Sequence, residues 1–101
     1  MQLTKAINLY PKPHSSQTLQ EIVVSTSAVS LAVYNLQTHY VLLEVKNNSV
    51  YATFDNSTPS ATNGHVLASG YREMVSRQTA QAAKFIQNSG AARVIGSPFT
   101  D

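Results

Sequence analysis

The chain has 101 residues, 43% hydrophobic and only 12% charged, which predicts one ordered domain over residues 1–101 and excludes a disordered tail. It contains no cysteine, which excludes a disulfide framework and a thiolate metal site and fits folding in a reducing cytosol. Seven Lys and Arg, scattered singly, and five acidic residues leave a net charge of +2, so no clustered basic surface indicates a nucleic-acid partner.

The first 16 residues predict a strand followed by a break. Residues 3–10 can form a strand, and Pro11 and Pro13 then remove backbone donors and hold the chain extended. Residues 1–16 are therefore either an N-terminal arm lying on a neighbouring subunit or an ordinary edge strand, and the second is favoured. No signal segment and no apolar run of membrane-spanning length is visible, so no membrane partner is expected.

The next segments predict strands of different quality. Residues 18–24 form one strand. In residues 28–36, alternation places Val29, Leu31 and Val33 on one face of a strand, although a short helix remains open because Ala and Leu also favour that state. Residues 35–39 form a loop, and residues 40–46 (YVLLEVK) form the strongest strand, which we expect to be central in its sheet.

A hairpin over residues 40–54 is the clearest prediction. Asn47-Asn48 provides its tight turn, because Asn tolerates a positive φ better than other non-glycine residues. In the second strand, residues 49–54, Val50, Ala52 and Phe54 share one face.

Residues 55–63 form a long polar loop, which packs turn-forming residues at the highest density in the chain. The apolar run of residues 65–68 and the segment 71–76 then predict two strands, separated by a turn at Ser69-Gly70.

Residues 77–88 have helical spacing, with Ser76 as N-cap and Ser89-Gly90 closing the helix in the left-handed conformation. Residues 91–95 form a last strand, Gly96-Ser97-Pro98 turns the chain out of it, and Phe99 anchors the tail. Six or seven short strands and one short helix near the C-terminus predict an all-β fold, an antiparallel β-sandwich.

No constellation for catalysis, metal or cofactor binding is visible, so we expect a protein that is not an enzyme and binds no cofactor. His14, His39 and His65 lack the short spacings that place two imidazoles on one metal. Asp55 resembles the start of a calcium loop, but the acidic residues that should follow are missing, and it is expected to accept hydrogen bonds from its own turn. No GxSxG elbow or glycine-rich phosphate loop occurs.

Two stretches resemble a family of small tailed-bacteriophage proteins of about this length. Residues 51–67, YATFDNSTPSATNGHVL, are similar to its strand ending near an aspartate, followed by a Thr-Pro-Ser/Thr-Ala segment, a glycine and an apolar pair. Residues 80–86 and the following SGAARV resemble the end of those proteins, and the likeness covers roughly residues 40–97. Asn56 departs from the pattern, since the family often has Gly there, but Asn is the best non-glycine residue for a left-handed turn.

The resemblance implies a virion structural protein with a β-sandwich or jelly-roll-like fold, made in the cytoplasm of the bacterial host. A capsid decoration or cement protein, acting as a homo-oligomer on the major capsid protein, is the first expectation, and a head-tail connector or tail component is the second. In either case the polar loop is expected to be an assembly contact or a packing lid, with Asp55, Asn56, Thr58, Pro59 and Asn63 as its contact residues. From the residues alone, a small glycan- or peptide-binding β-sandwich that uses this loop and nearby tyrosines remains open.

Overall fold

The computed structural model describes residues 12–13 and 19–100, and the predictions for residues 1–11 and 14–18 lie outside them. The described residues form eight strands and one short helix in antiparallel sheets, which confirms the all-β sandwich. The elements are β1 (Lys12–Pro13), β2 (Gln20–Val24), β3 (Tyr40–Lys46), β4 (Val50–Thr53), β5 (His65–Leu67), β6 (Arg72–Ser76), α1 (Arg77–Ala82), β7 (Lys84–Gln87) and β8 (Ala92–Thr100). The one described helix is far too short and polar to cross a membrane.

The two sheets differ in size. The larger runs β1-β8-β3-β6, and β2 pairs with β8 on the same side as β1. The smaller runs β5-β4-β7. β3 has a neighbour on each side, as predicted for a central strand, and β1 is a two-residue edge strand that pairs Lys12 and Pro13 with the end of β8. The jelly-roll detail is not confirmed by this arrangement of five and three strands.

The core is one cluster that joins both sheets. Strand alternation turns every second side chain of β3 inward, and the same period applies to β4 and β8. Its fully buried members include Val41, Leu43 and Val45 of β3, Val94 of β8, Val50 and Ala52 of β4, and Phe85 of β7. Burying one such Val, Leu or Phe side chain contributes roughly 1.5–3 kcal/mol, so this cluster is the main stabilising feature of the sandwich.

The predicted hairpin over residues 40–54 is wrong. β3 pairs with β6 and β8, whereas β4 pairs with β5 and β7, so the two strands lie in different sheets. Asn47 does adopt a positive φ of 78°. The turn chemistry is as expected, but both edges of β3 are already occupied, and the turn carries the chain from one sheet to the other.

The predicted helix over residues 77–88 is half right. Ser76 caps α1 as expected, since its hydroxyl accepts a hydrogen bond from the Thr79 N–H at 3.1 Å. The helix ends at Ala82, and Lys84–Gln87 continues as β7, which pairs with β4. Phe85 is one of the apolar residues whose spacing suggested a longer helix, and it is fully buried as a residue of β7. Gly90 does not adopt the left-handed conformation.

The predicted turn at Gly96-Ser97-Pro98 is also wrong, because β8 runs through it without interruption. Gly96 pairs with Leu43 and Gln20, and Pro98 pairs with Val41. The alternation of hydrogen-bonded pairs directs the Pro98 nitrogen away from β3, so the missing donor removes no hydrogen bond between β8 and β3.

Residues 28–36 form neither the predicted strand nor the alternative helix. Their one bridge is Val29 with Phe85 of β7. The expected alternation is broken, since Leu31 and Tyr34 are buried while Val33 is 77% exposed. This segment is an irregular connection held by the core.

Candidate functional site

The polar loop of residues 55–63 joins β4 to β5. These strands pair directly, with Ala52 opposite His65, so the loop begins and ends at neighbouring points of the smaller sheet. The loop is therefore the connection of a β-hairpin, and its position at the end of the sheet follows from the pairing of the strands below it.

Asp55 organises the first half of the loop. Its Oδ1 accepts hydrogen bonds from the Ser57 N–H at 3.0 Å and the Ser57 hydroxyl at 2.5 Å. Both bonds lower the pKa of the Asp55 carboxyl, because they stabilise its charged form, and the bond from the Ser57 hydroxyl has the larger effect. The role predicted for Asp55, accepting hydrogen bonds from its own turn, is confirmed. The following Asn56 has a φ of 67°, so it occupies the left-handed position expected for it.

Asn63 organises the second half. Its side-chain amide donates to the Thr58 carbonyl at 2.8 Å and to the Ser57 hydroxyl at 3.3 Å. Its backbone is joined to Ser60 by a reciprocal pair of hydrogen bonds at 2.9 and 3.2 Å. The two halves of the loop are thus connected by side chains of the loop itself, and its shape is preorganised.

Three contacts attach the loop to the body of the protein. The Asn56 N–H donates to the carbonyl of Ala82 at the end of α1, at 2.9 Å. The Thr53 hydroxyl donates to the Ser57 carbonyl at 2.5 Å. Pro59 is fully buried.

The five predicted contact residues therefore divide into two groups. Asp55, Asn56, Thr58 and Asn63 are exposed, and Pro59 is buried. The exposed group presents amides, a hydroxyl and one carboxylate to solvent, while Pro59 acts as the anchor. Pro59 is the packing element expected of a lid, and the assembly contact by the exposed side chains stays a prediction.

A cleft that sequence reasoning missed lies at the base of the loop. It has a volume of about 260 Å³, is open to solvent, and is lined by Thr53, Phe54, Asp55, Gly64 and His65. The Phe54 and His65 rings are 6.3 Å apart between centroids and tilted by 37°. The pairing of β4 with β5 brings these residues together, so only a correct hairpin register could have revealed the cleft.

The chemistry of the cleft is that of recognition. A carboxylate and an imidazole can form hydrogen bonds with a ligand, and an aromatic ring can stack on an apolar face. The predicted tyrosines do not line it. Tyr34 is buried in the core, and Tyr40, Tyr51 and Tyr71 are half-buried residues elsewhere in the fold.

The two described histidines lie in different parts of the fold. His39 directly precedes β3 of the larger sheet, His65 begins β5 of the smaller sheet, and His14 lies outside the described residues. Within residues 12–13 and 19–100, no three His, Cys, Asp or Glu side chains form a cluster that could hold a metal ion.

Known proteins give no further assignment. No family model, curated protein or solved structure matches the chain.

Proposed function

We propose that this chain is a non-enzymatic structural protein of a tailed-bacteriophage virion, specifically a capsid decoration protein. It is made in the host cytoplasm, binds the assembled head through the major capsid protein, and stabilises the shell as a homo-oligomer. The resemblance over residues 40–97 motivates this proposal, and the all-β sandwich agrees with it.

The observation that carries the proposal is the preorganised polar loop. Its exposed side chains, among them Asn56, Thr58 and Asn63, are neutral hydrogen-bonding groups on a backbone already ordered by internal bonds. A loop ordered before binding loses less conformational entropy when it docks. A neutral polar contact also suits a chain with only 12% charged residues, because few charges need to be desolvated.

The direct test is the composition of purified virions. Mass spectrometry should find the chain in stoichiometric amounts on mature particles, and particles assembled without it should bind the purified protein and resist heating better afterwards. Its absence from virions, or binding that leaves capsid stability unchanged, would contradict decoration.

The loop can be tested as the docking contact without disturbing its anchor. Replacing Thr58 and Ala61 with Arg adds bulk and charge at exposed positions while Pro59 and the Asn63 bonds remain. We expect lost particle binding with an unchanged Tm. The matched variant Pro59→Ala should lower the Tm instead, because it removes a buried group. Unchanged particle binding by the Arg variant would exclude the loop as the contact.

An alternative location for the same structural role is the head-tail connector or the tail. Cryo-electron microscopy of particles with and without the chain distinguishes the locations. Density spread over the shell supports decoration, and density confined to the portal or tail supports the alternative location.

A second candidate function, glycan or peptide binding, is favoured by the cleft. Phe54 and His65 provide ring faces and Asp55 an acceptor for ligand hydroxyls or amides. Glycan and peptide arrays probed with the isolated protein test it. Binding that is lost in Phe54→Ala but retained in Val66→Ala, a change outside the cleft, would support this function, and binding restricted to phage particles would exclude it.

A further inference from the structure

β6 ends the larger sheet without a neighbouring strand on its outer side among the described residues. The corresponding edge of β7 in the smaller sheet is covered. Phe85 exchanges two backbone hydrogen bonds with Val29 at 2.8 and 2.9 Å, and the Gln87 N–H donates to the Ser25 carbonyl at 2.9 Å. An exposed edge presents unpaired N–H and C=O groups, which can bind another strand.

The hydrogen bonds that flank the β3–β6 pairing show which groups of β6 point outward. The Val45 N–H donates to the Tyr71 carbonyl, and the Arg77 N–H donates to the His39 carbonyl. Residues directly opposite each other alternate between hydrogen-bonded and non-hydrogen-bonded pairs in an antiparallel ladder. Glu73 and Val75 therefore bond to β3, and the N–H and C=O groups of Arg72 and Met74 face the open edge.

We propose that β6 of one chain pairs antiparallel with β6 of a second copy, about a two-fold axis at Met74. In this register Met74 of each copy donates to and accepts from Met74 of the other. At each end the Ser76 N–H of one copy donates to the outward Arg72 carbonyl of the other. The two larger sheets become one continuous sheet.

The side chains on the outer face favour a second copy as the occupant. Met74 is 36% exposed and lies opposite Leu42, which is half-buried on the same face. Pairing at Met74 joins these residues into one apolar row of Leu42, Met74, Met74 and Leu42 across the interface. Cross-strand apolar pairs of this kind stabilise sheets. The Arg72 Nε lies 3.6 Å from the Glu44 Oε2, and this ion pair stays at the polar rim of the interface.

Charge repulsion excludes one neighbouring register, and the position of α1 excludes the other. Shifting the axis to Glu73 keeps the faces matched but places the two Glu73 carboxylates directly opposite each other, which is destabilising. Shifting it to Val75 places Arg72 opposite residue 78, which belongs to α1 and cannot continue the ladder. The axis at Met74 avoids both defects.

The β6–β6 pairing is the interface of the homo-oligomer in the proposed function. Of that function, it depends only on the self-association of the chain. The mass spectrometry of virions tests the location of the protein independently, so failure of one result does not imply failure of the other.

Sedimentation equilibrium of the full chain with a matched pair of proline variants tests the interface. Met74→Pro removes an outward donor and should weaken the dimer by about thirtyfold or more, because two hydrogen bonds are lost. Val66→Pro is the control. Val66 is 59% exposed on the other edge strand, β5. Its N–H also faces outward, because the Asn88 N–H donates to the Ser49 carbonyl, and alternation then directs the backbone groups of Tyr51, the partner of Val66, toward β7. This variant should dimerise like the wild type. A wild-type chain that is monomeric at the highest attainable concentration, or a dimer equally strong in Met74→Pro, overturns the proposal.

Cysteine crosslinking tests the register, because the natural chain has no cysteine. The hydrogen-bonded Met74 pair places its Cα atoms about 5.5 Å apart, within the range of a disulfide. Met74→Cys should therefore crosslink under mild oxidation, whereas Glu73→Cys, with its two copies about 7–8 Å apart on the diagonal, should not. Preferential crosslinking of Glu73→Cys would overturn the assigned register.

Discussion

Two irregular segments of this protein are held in opposite ways. The connection of residues 25–39 is held mainly by contacts with distant parts of the chain, including buried Leu31 and Tyr34 and the bonds of Val29 to β7. The polar loop of residues 55–63 is held mainly by its own side chains, with Pro59 as its buried anchor. An irregular segment can therefore be ordered by local chemistry or by the core. These two cases should respond differently to mutation.

Tyr34 shows how the first segment depends on the core. Its hydroxyl donates to the Gly96 carbonyl of β8 at 2.6 Å, and its backbone N–H donates to the Gln81 side chain of α1 at 3.1 Å. Two further bonds join the Gln20 side-chain amide of β2 to the backbone of Ala32, at 2.7 and 3.0 Å. Among the described residues no buried polar side-chain atom is left without a hydrogen bond, so the segment contributes polar groups to the interior at little cost.

The largest effect is expected where the polar loop meets the sheet. Gly64 has a φ of 128°, and a Cβ there would lie 2.6 Å from the backbone oxygen of Ala52. We expect Gly64→Ala to lower the free energy of unfolding by about 3 kcal/mol or more, since backbone strain and a steric clash add. Chemical denaturation measures it. Gly70→Ala separates the two causes, because Gly70 also has a positive φ, 97°, but no atom within 4 Å of its added Cβ. Equal losses in both variants would contradict the clash.

A smaller loss is expected where residues 25–39 pack on β8. A Cβ on Gly96 would lie 2.6 Å from the Tyr34 hydroxyl oxygen and 2.8 Å from the Leu31 Cδ1. We expect Gly96→Ala to cost about 2 kcal/mol, because the core must shift to accept a methyl group. In a Tyr34→Phe background the cost should fall, since the nearest atom is removed. A double-mutant cycle with zero coupling would show that Tyr34 is not the obstacle.

Tyr34→Phe alone should cost about 1 kcal/mol at neutral pH, the typical value of one hydrogen bond. It should also alter the pH dependence. Burial raises the pKa of Tyr34 to about 12, with an opposing effect from Gln20. Its contribution to stability is therefore complete below the ordinary value of 10 and is lost as the pH rises toward 12, by roughly 2 kcal/mol in all. The free energy of unfolding of Tyr34→Phe should therefore fall less steeply above pH 10 than that of the wild type. Parallel stability curves of variant and wild type above pH 10 would contradict the assignment.

The smallest effect on global stability is expected at Asp55, because its contacts are local and exposed. Hydrogen bonds from Ser57 lower the pKa of Asp55 below its ordinary value of 3.8. The stabilisation from these bonds is therefore complete above pH 3.8 and is lost as the pH falls through the lower pKa of the folded state. In an NMR titration, the Ser57 amide shift should follow a midpoint below 3.8, and Asp55→Asn should abolish this response with little change in Tm. A midpoint at or above 3.8 would contradict the hydrogen-bonded turn.

Local patterns were sufficient for much of the fold and for the outline of the loop. Alternation located β3 and β4, the cap at Ser76 located the start of α1, and the turn residues predicted the role of Asp55. Each of these features depends on neighbours within a few residues, so the chain alone determines it. The all-β class follows for the same reason, because it sums many local preferences.

The tertiary structure decided which strands pair. The turn at Asn47 is compatible with a hairpin or with a connection between the two sheets. The chain connects the sheets because β6 and β8 already pair with the two edges of β3. Lys84–Gln87 has helical spacing, but pairing with β4 and burial of Phe85 make it a strand. The cleft, the buried Pro59 and the open edge of β6 all follow from that pairing. Strand pairing and core burial join residues far apart in the sequence, and no local pattern contains that information.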